Sequence, residues 1–126
     1  MTESSNIEIT ISFADPSLDD EELQAEVQNL LPQILEVDGV EDADLIAVDE
    51  APPGSKAFGG YLLGMLKTMV SEDNIKSLFD FLRFRLGGKP IKLNMKLADG
   101  RELKIEASSL AEFELAFQSA QKFYQN

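Results

Sequence analysis

The residues of this chain that could do chemistry are carboxylates, hydroxyls, lysines and arginines, because the sequence contains no cysteine and no histidine. These two absences exclude disulfides, thiolate metal sites and cysteine nucleophiles, and they remove the commonest general base. Every acidic residue lies in a polar stretch, whereas a tuned acid and base would need burial to separate their pKa values. We therefore assign no catalytic residue and expect a protein that is not an enzyme.

A group of carboxylates that could bind a divalent cation follows the first predicted helix. It consists of Asp38, Glu41, Asp42 and Asp44. A calcium loop needs a central glycine and a glutamate at its twelfth position, and this group does not follow that pattern. A solvated acidic loop is the favoured interpretation, and a fortuitous weak divalent site is the alternative. We expect neither a metal nor another cofactor.

Two glycine-rich segments are candidates for binding phosphate. They lie at residues 53–60 and 87–89. Neither has the glycine spacing of a phosphate-binding loop, and the second is followed at once by Pro90. We interpret these glycines as turn and cap residues. The amides of Gly59 and Gly60, at the start of a predicted helix, could still receive an anion or a carboxylate of a partner.

Charge is divided along the sequence, with a formal net charge of -12. The first 54 residues contain fifteen acidic residues and no basic one, while all eleven lysines and arginines follow residue 55. From Arg83 to Lys104, seven basic residues accompany only Asp99 and Glu102. Such segregation affects partners and association rather than fold. It predicts two oppositely charged surfaces, and the net negative charge makes direct binding of nucleic acid an unfavourable interpretation.

The elements that must position these residues begin with a strand, since apolar and polar residues alternate over residues 7–13. Ser17 is expected to cap the next helix, with the acids of residues 19–22 near its positive end. Pro32 should kink or end that helix. A second strand is predicted at residues 45–48, parallel to the first because a helix connects them.

A Pro/Gly connector is predicted at residues 49–60 and is not interpreted as a domain boundary. Two apolar stripes with helical spacing follow. Ser71 to Asn74, between them, could cap a second helix or lie on the exposed side of one long helix, so residues 61–86 form either one helix or two. The stripes consist of Leu62, Met65, Leu66 and Met69, and of Ile75, Leu78, Phe79, Leu82 and Leu86. Phe81 and Phe84 cannot share the second stripe. Core packing is the favoured interpretation for them, and an exposed anchor for a partner is the alternative.

The alternation over residues 91–97 and 102–107 predicts a hairpin. A two-residue loop would mix apolar and charged side chains on both faces, whereas a three-residue loop ending in a left-handed Gly100 separates them. The predicted opposite pairs are Met95 with Leu103, Leu93 with Ile105, Lys96 with Glu102, and Lys92 with Glu106. A capping box from Ser109 to Glu112 then predicts a last helix.

This order predicts a single α+β domain over residues 1–126, a two-layer sandwich with a four-stranded mixed sheet and helices on one face. Residues 1–6 are expected to be flexible. They lack the basic start and apolar region of a secretory signal. The longest apolar stretch, residues 57–70, falls short of the ~20 residues that span a bilayer. We expect a cytoplasmic protein without membrane contact.

The middle of the chain resembles a known family pattern. A Pro-Pro-Gly connector enters a glycine-rich turn at residues 52–60, and a helix ends in Phe-Leu-Arg-Phe-Arg-Leu at residues 81–86. Asp99, Gly100 and Arg101 follow in the hairpin. Over residues 7–107 this resembles the effector-associated constant component proteins of bacterial conflict systems. The resemblance implies a non-enzymatic adaptor or regulatory component, with a co-encoded effector or regulatory NTPase as its partner.

The predicted function is therefore that of a protein interaction module, with head-to-tail self-association also conceivable. The alternatives are an acidic nucleic-acid mimic that inhibits a basic DNA-binding protein and, least favoured, a small carboxylate hydrolase. The residues predicted to contact a partner are Asp19, Asp20, Glu21, Glu22, Asp38, Glu41, Asp42, Asp44, Lys56, Phe58, Arg83, Arg85 and Lys89.

Overall fold

The computed structural model describes residues 6–50, 53 and 56–125. Its elements are β1 (Asn6–Phe13), α1 (Asp20–Ile34), β2 (Val40–Ala47), β3 (Ala57–Phe58), β4 (Tyr61–Ser71), α2 (Ile75–Leu86), β5 (Ile91–Lys96), β6 (Glu102–Ala107) and α3 (Leu110–Gln125). The predicted flexible start lies outside the described residues except for Asn6, which already belongs to β1. The predicted connector is described only in part, and its last residues form β3 and a hairpin turn instead.

The described strands form one open antiparallel sheet in the order β2-β4-β1-β5-β6, and the two-residue β3 pairs with β4. The α+β class is confirmed, but the prediction of a four-stranded mixed sheet was wrong. Strands β1 and β2 do run in the same direction. They are not neighbours, however, because β4 lies between them and is antiparallel to both.

The additional strand is β4, which covers a segment that we predicted to be helical. Leu62, Leu66 and Val70 are buried, while Met65 and Met69 point to the opposite face and are only partly covered. A strand that is apolar on both faces has a continuous apolar sequence. Some residues of such a run are always three or four positions apart, which is also the spacing of an apolar helix face. Leucine and methionine are also good helix formers, so the apolar pattern alone favoured the wrong element.

β4 is irregular near Gly64, whose φ of 64° lies in the left-handed region. The pairing of β2 with β4 changes register in the same neighbourhood, between Leu45 and Ala47. The Gly64 N–H donates to Oε1 of Gln24 over 2.8 Å, and the Gln24 side chain is buried. A side chain of α1 thus binds the backbone of β4 where the strand is irregular.

The helices pack on one face of the sheet: α1 contacts β2 and β4, α3 contacts β6, and α2 contacts both β4 and α3. Phe79 of α2 joins two helices in the core, with its ring centroid 4.9 Å from that of Phe117 and 6.4 Å from that of Phe113. On the other face the side chains of β1 are polar and only partly covered. The predicted two-layer arrangement with helices on one side is therefore present.

The hairpin of β5 and β6 has the predicted register, including Met95 opposite Leu103. The Gly100 N–H donates to the Leu97 carbonyl over 3.0 Å, and Gly100 has a φ of 95°. The Leu97 N–H donates to the Arg101 carbonyl over 2.8 Å. These bonds define the predicted three-residue loop with a left-handed glycine.

The start of α1 differs from the prediction, because Asp19 and not Ser17 is the N-cap. The Asp19 carboxylate accepts from the Glu22 N–H over 2.8 Å, and the Glu22 carboxylate accepts from the Asp19 N–H over 3.0 Å. Ser17 instead donates its N–H and hydroxyl to Asp15. A reciprocal box satisfies two free N–H groups, whereas a lone serine would satisfy one. Pro32 lies in the last turn of the helix, which ends at Ile34.

Candidate functional site

The aromatic side chain of Phe84 is exposed to solvent on the outer surface of α2. It is 88% exposed, the largest value among the large apolar side chains that the structure describes. Phe81 by contrast is half-buried and packs against the core. The favoured prediction of core packing is confirmed for Phe81 and was wrong for Phe84, which is exposed as the alternative interpretation required.

Phe84 stands between two arginines that bind the neighbouring helices. The Arg83 guanidinium pairs with the Glu114 carboxylate of α3. Arg85 donates from Nε to the Gln33 side-chain carbonyl of α1 over 3.0 Å. Residues two apart on a helix point about 200° apart, so these contacts tie α2 to opposite neighbours. We call Phe84 together with Arg83 and Arg85 the Phe84 crest.

The end of α2 lies against the start of α3. Gly87, three residues after Phe84, has no side chain, and a Cβ built there would lie 3.0 Å from the Leu110 Cδ1 atom. Leu110 is 46% exposed, and Leu115 is 64% exposed.

The predicted acidic contact residues do not form one cluster. Asp19, Asp20, Glu21 and Glu22 lie at the start of α1, and Asp38 lies just beyond its end. At about 1.5 Å per residue, the 15-residue helix separates these two groups by about 21 Å. They therefore lie at opposite ends of one helix.

The prediction of a solvated acidic loop was wrong for Glu41, Asp42 and Asp44, which belong to the edge strand β2. The Asp42 carboxylate accepts from the Ala43 N–H over 3.0 Å, and the Asp44 carboxylate accepts from the Leu45 N–H over 2.8 Å. These acids bind the edge of their own strand. Among the described residues, no three acidic side chains converge as metal ligands would.

Gly59 and Gly60 form the two-residue turn between β3 and β4, with φ values of 60° and 84°. Positive φ at both positions is typical of a type I′ hairpin turn. The prediction that their amides begin a helix and receive an anion there was wrong, since a strand follows. Phe58 pairs with Tyr61 through this hairpin, and the Lys56 ammonium lies 3.8 Å from the Asp20 carboxylate.

Most of the basic tract binds residues of this chain. The Lys89 ammonium lies 3.4 Å from the Glu26 carboxylate of α1, and the Lys92 ammonium lies 3.7 Å from the Glu106 carboxylate, as the hairpin register predicted. Arg101 donates its N–H to the Asp99 carboxylate over 3.0 Å, a bond that lowers the pKa of Asp99. The positive surface is therefore weaker than the sequence suggests.

Comparisons of the chain with protein-family models, with curated proteins and with solved structures found no match. Among the described residues, no helix has the length and apolar character needed to cross a membrane. The candidate site therefore depends on the geometry of this chain alone.

Proposed function

We propose that this chain is a non-enzymatic adaptor that binds another protein through the Phe84 crest. The observation that carries the proposal is the 88% exposure of Phe84 at the centre of the helical layer. A phenylalanine side chain is costly to expose, and burying one contributes roughly 1.5–3 kcal/mol. Aromatic anchors with arginine neighbours are typical of the residues that dominate the energy of protein interfaces.

The two arginines also favour binding, because each is already held in place by a neighbouring helix. Side chains that are ordered before association lose less conformational entropy when they bind. Each guanidinium has further N–H donors beyond the one that its intramolecular partner accepts. The partner that fits this surface has an apolar pocket for a phenyl ring, with carboxylates at its rim.

The resemblance of residues 7–107 to the effector-associated constant component family supplies the candidate partners. We propose a co-encoded effector or regulatory NTPase, so the proteins to test are the purified products of the neighbouring genes. Their binding to the full chain is measured by titration calorimetry. The Phe84→Ala variant should weaken the tightest interaction by about 30-fold, as expected for the loss of an interface anchor.

Leu35→Ala is the matched control, because Leu35 is 46% exposed but lies at the end of α1. It should leave the affinity unchanged. Wild-type affinity in Phe84→Ala would contradict the role of the crest, and a wild-type chain that binds none of these products would contradict the adaptor function.

A further inference from the structure

The two edges of the sheet differ in how they are protected. An edge strand offers unpaired N–H and C=O groups to any other strand, and proteins usually block it. The β2 edge is blocked, since Asp42 and Asp44 accept from the N–H groups of Ala43 and Leu45. Its pairing with β4 also contains two register irregularities. Within the described part of the chain, the β6 edge has neither device.

Strand β6 is regular over all six residues, and no other described strand pairs with its outer side. Leu97 and Arg101 form a hydrogen-bonded pair across the turn, since the Leu97 N–H donates to the Arg101 carbonyl. Hydrogen-bonded and non-hydrogen-bonded pairs alternate along an antiparallel ladder, so every second residue of β6 bonds to β5. The backbone groups of Leu103 and Ile105 therefore point to β5. Those of Glu102, Lys104 and Glu106 point outward.

An apolar depression lies beside this edge, on the side of the helices. It has a volume of about 400 Å³ and lies between β6 and α3. Leu103 and Ile105 contribute from the strand, and Leu115 contributes from the helix. Leu115 is 64% exposed, so a strand added to β6 would cover a side chain that now faces water.

We propose that the occupant of this edge is a second copy of the chain, whose β6 pairs antiparallel with the first across a two-fold axis. The argument is charge complementarity. The outward residues alternate as Glu102, Lys104 and Glu106, and opposite charges at directly facing positions stabilise a strand pair whereas like charges destabilise it.

Three registers bring the outward backbone groups of two copies together. With Lys104 on the axis, Lys104 faces Lys104 and Glu102 faces Glu106, so all close pairs repel. With Leu103 on the axis, the pairing runs into the turn at residues 98–100. With Ile105 on the axis, Lys104 faces Glu106 of the second copy twice, and residues 103–107 of the two copies pair without reaching the turn. The dimer therefore has Ile105 at its centre and continues the sheet through both copies.

Sedimentation equilibrium of the full chain tests this dimer. The wild type should show a monomer–dimer equilibrium. Lys104→Glu and Glu106→Lys should each raise the dissociation constant at least about tenfold, because each replaces two attractive pairs by two repulsive ones. The double variant Lys104→Glu with Glu106→Lys should restore the wild-type constant.

Lys76→Glu is the matched control, since it makes the same charge change at an exposed position of α2. It should leave the dimer intact, and so should Phe84→Ala, which separates this interface from the proposed partner site. Circular dichroism checks that each variant is folded. A wild type that stays monomeric up to about 1 mM would overturn the proposal. A dimer that tolerates Lys104→Glu, or that the double variant does not restore, would overturn it as well.

Discussion

Gly39 lies between α1 and β2, where the chain passes close to Asn74 at the start of α2. Its φ is 85°, and its carbonyl accepts from the Ser71 N–H over 3.0 Å. A Cβ built at this position would lie 2.1 Å from the Asn74 Cβ. Because the neighbour is close to the backbone, it cannot swing away, and a side chain here would push two elements apart.

We therefore predict that Gly39→Ala is much more destabilising than Gly100→Ala. Gly100 has a φ of 95°, but no atom beyond its chain neighbours lies within 4 Å of the position that a Cβ would take. Its replacement should cost only the left-handed strain, about 1–2 kcal/mol of unfolding free energy. Gly39→Ala adds overpacking and should cost about 3 kcal/mol or more. Urea unfolding measures both, and equal costs would contradict the close approach.

The carboxyl group of Asp15 gives a second prediction for a single residue, which concerns its pKa. Bonds from the Ser17 hydroxyl over 2.6 Å and from its N–H over 2.9 Å hold the pKa of Asp15 below its ordinary value. A lowered folded-state pKa contributes stability at neutral pH, and that contribution is lost as the pH falls through the folded pKa. Ser17→Ala should raise the pKa of Asp15 and leave that of Asp99 unchanged. Carboxyl NMR titration measures the two separately.

Among the elements, those with one buried face were predictable from the sequence. In β1, in the hairpin of β5 and β6, and in α2, the apolar residues fit either the spacing of a strand or that of a helix, but not both. β4 could not be recognised by period because it is apolar on both faces. Gly64, Thr68 and Val70 were the local signals for a strand, since glycine and β-branched residues disfavour a helix interior.

The candidate site was predictable to the same limited extent. The stripe of α2 left Phe84 unassigned, but core packing was the favoured interpretation, and its exposure was foreseen only as the alternative. The partners of Arg83 and Arg85 could not be predicted, because Glu114 and Gln33 are 31 and 52 residues away in the sequence. Such contacts depend on how helices lie next to one another, and the periodicity of a single helix does not contain that information.

The capping box of α1 gives a prediction at the scale of one element. Asp19→Ala removes the acceptor for the Glu22 N–H and leaves the start of the helix without its reciprocal bond. We expect a loss of about 1 kcal/mol in the free energy of unfolding. Ser17→Ala should cost less, because Ser17 bonds to Asp15 and not to the helix. Chemical denaturation compares the two, and a larger loss for Ser17→Ala would contradict the observed cap.

Across the whole molecule, the division of charge along the sequence does not become a division in space. The central strand β1 comes from the acidic part and lies between β4 and β5 from the later part. Ion pairs between described residues join the two parts: Lys56 with Asp20, Lys67 with Glu8, and Lys89 with Glu26. Each such exposed pair is weak, so they reduce local repulsion rather than hold the fold together. The alternative function as an acidic nucleic-acid mimic stays a prediction.

The same topology predicts that the two parts cannot fold separately. A fragment of residues 1–54 contains β1, α1 and β2 but none of the strands that pair with them. It should be unfolded by circular dichroism and by amide NMR dispersion, because its two strands lack the neighbours with which they pair. A folded fragment would contradict the interleaved sheet. The full chain under the same conditions is the control.

The central position of β1 also has a consequence during translation. β1 is the first strand of this sheet to leave the ribosome, yet its partner β5 ends only at Lys96. At roughly 5–20 residues per second, β1 waits roughly 4–17 s for that neighbour. Its four large apolar side chains, which are buried in the folded protein, lack the cover that depends on β5 during this time. The acidic residues that surround β1 in the nascent chain would then act as a solubilising segment, protecting the strand by mutual repulsion until its partners are made.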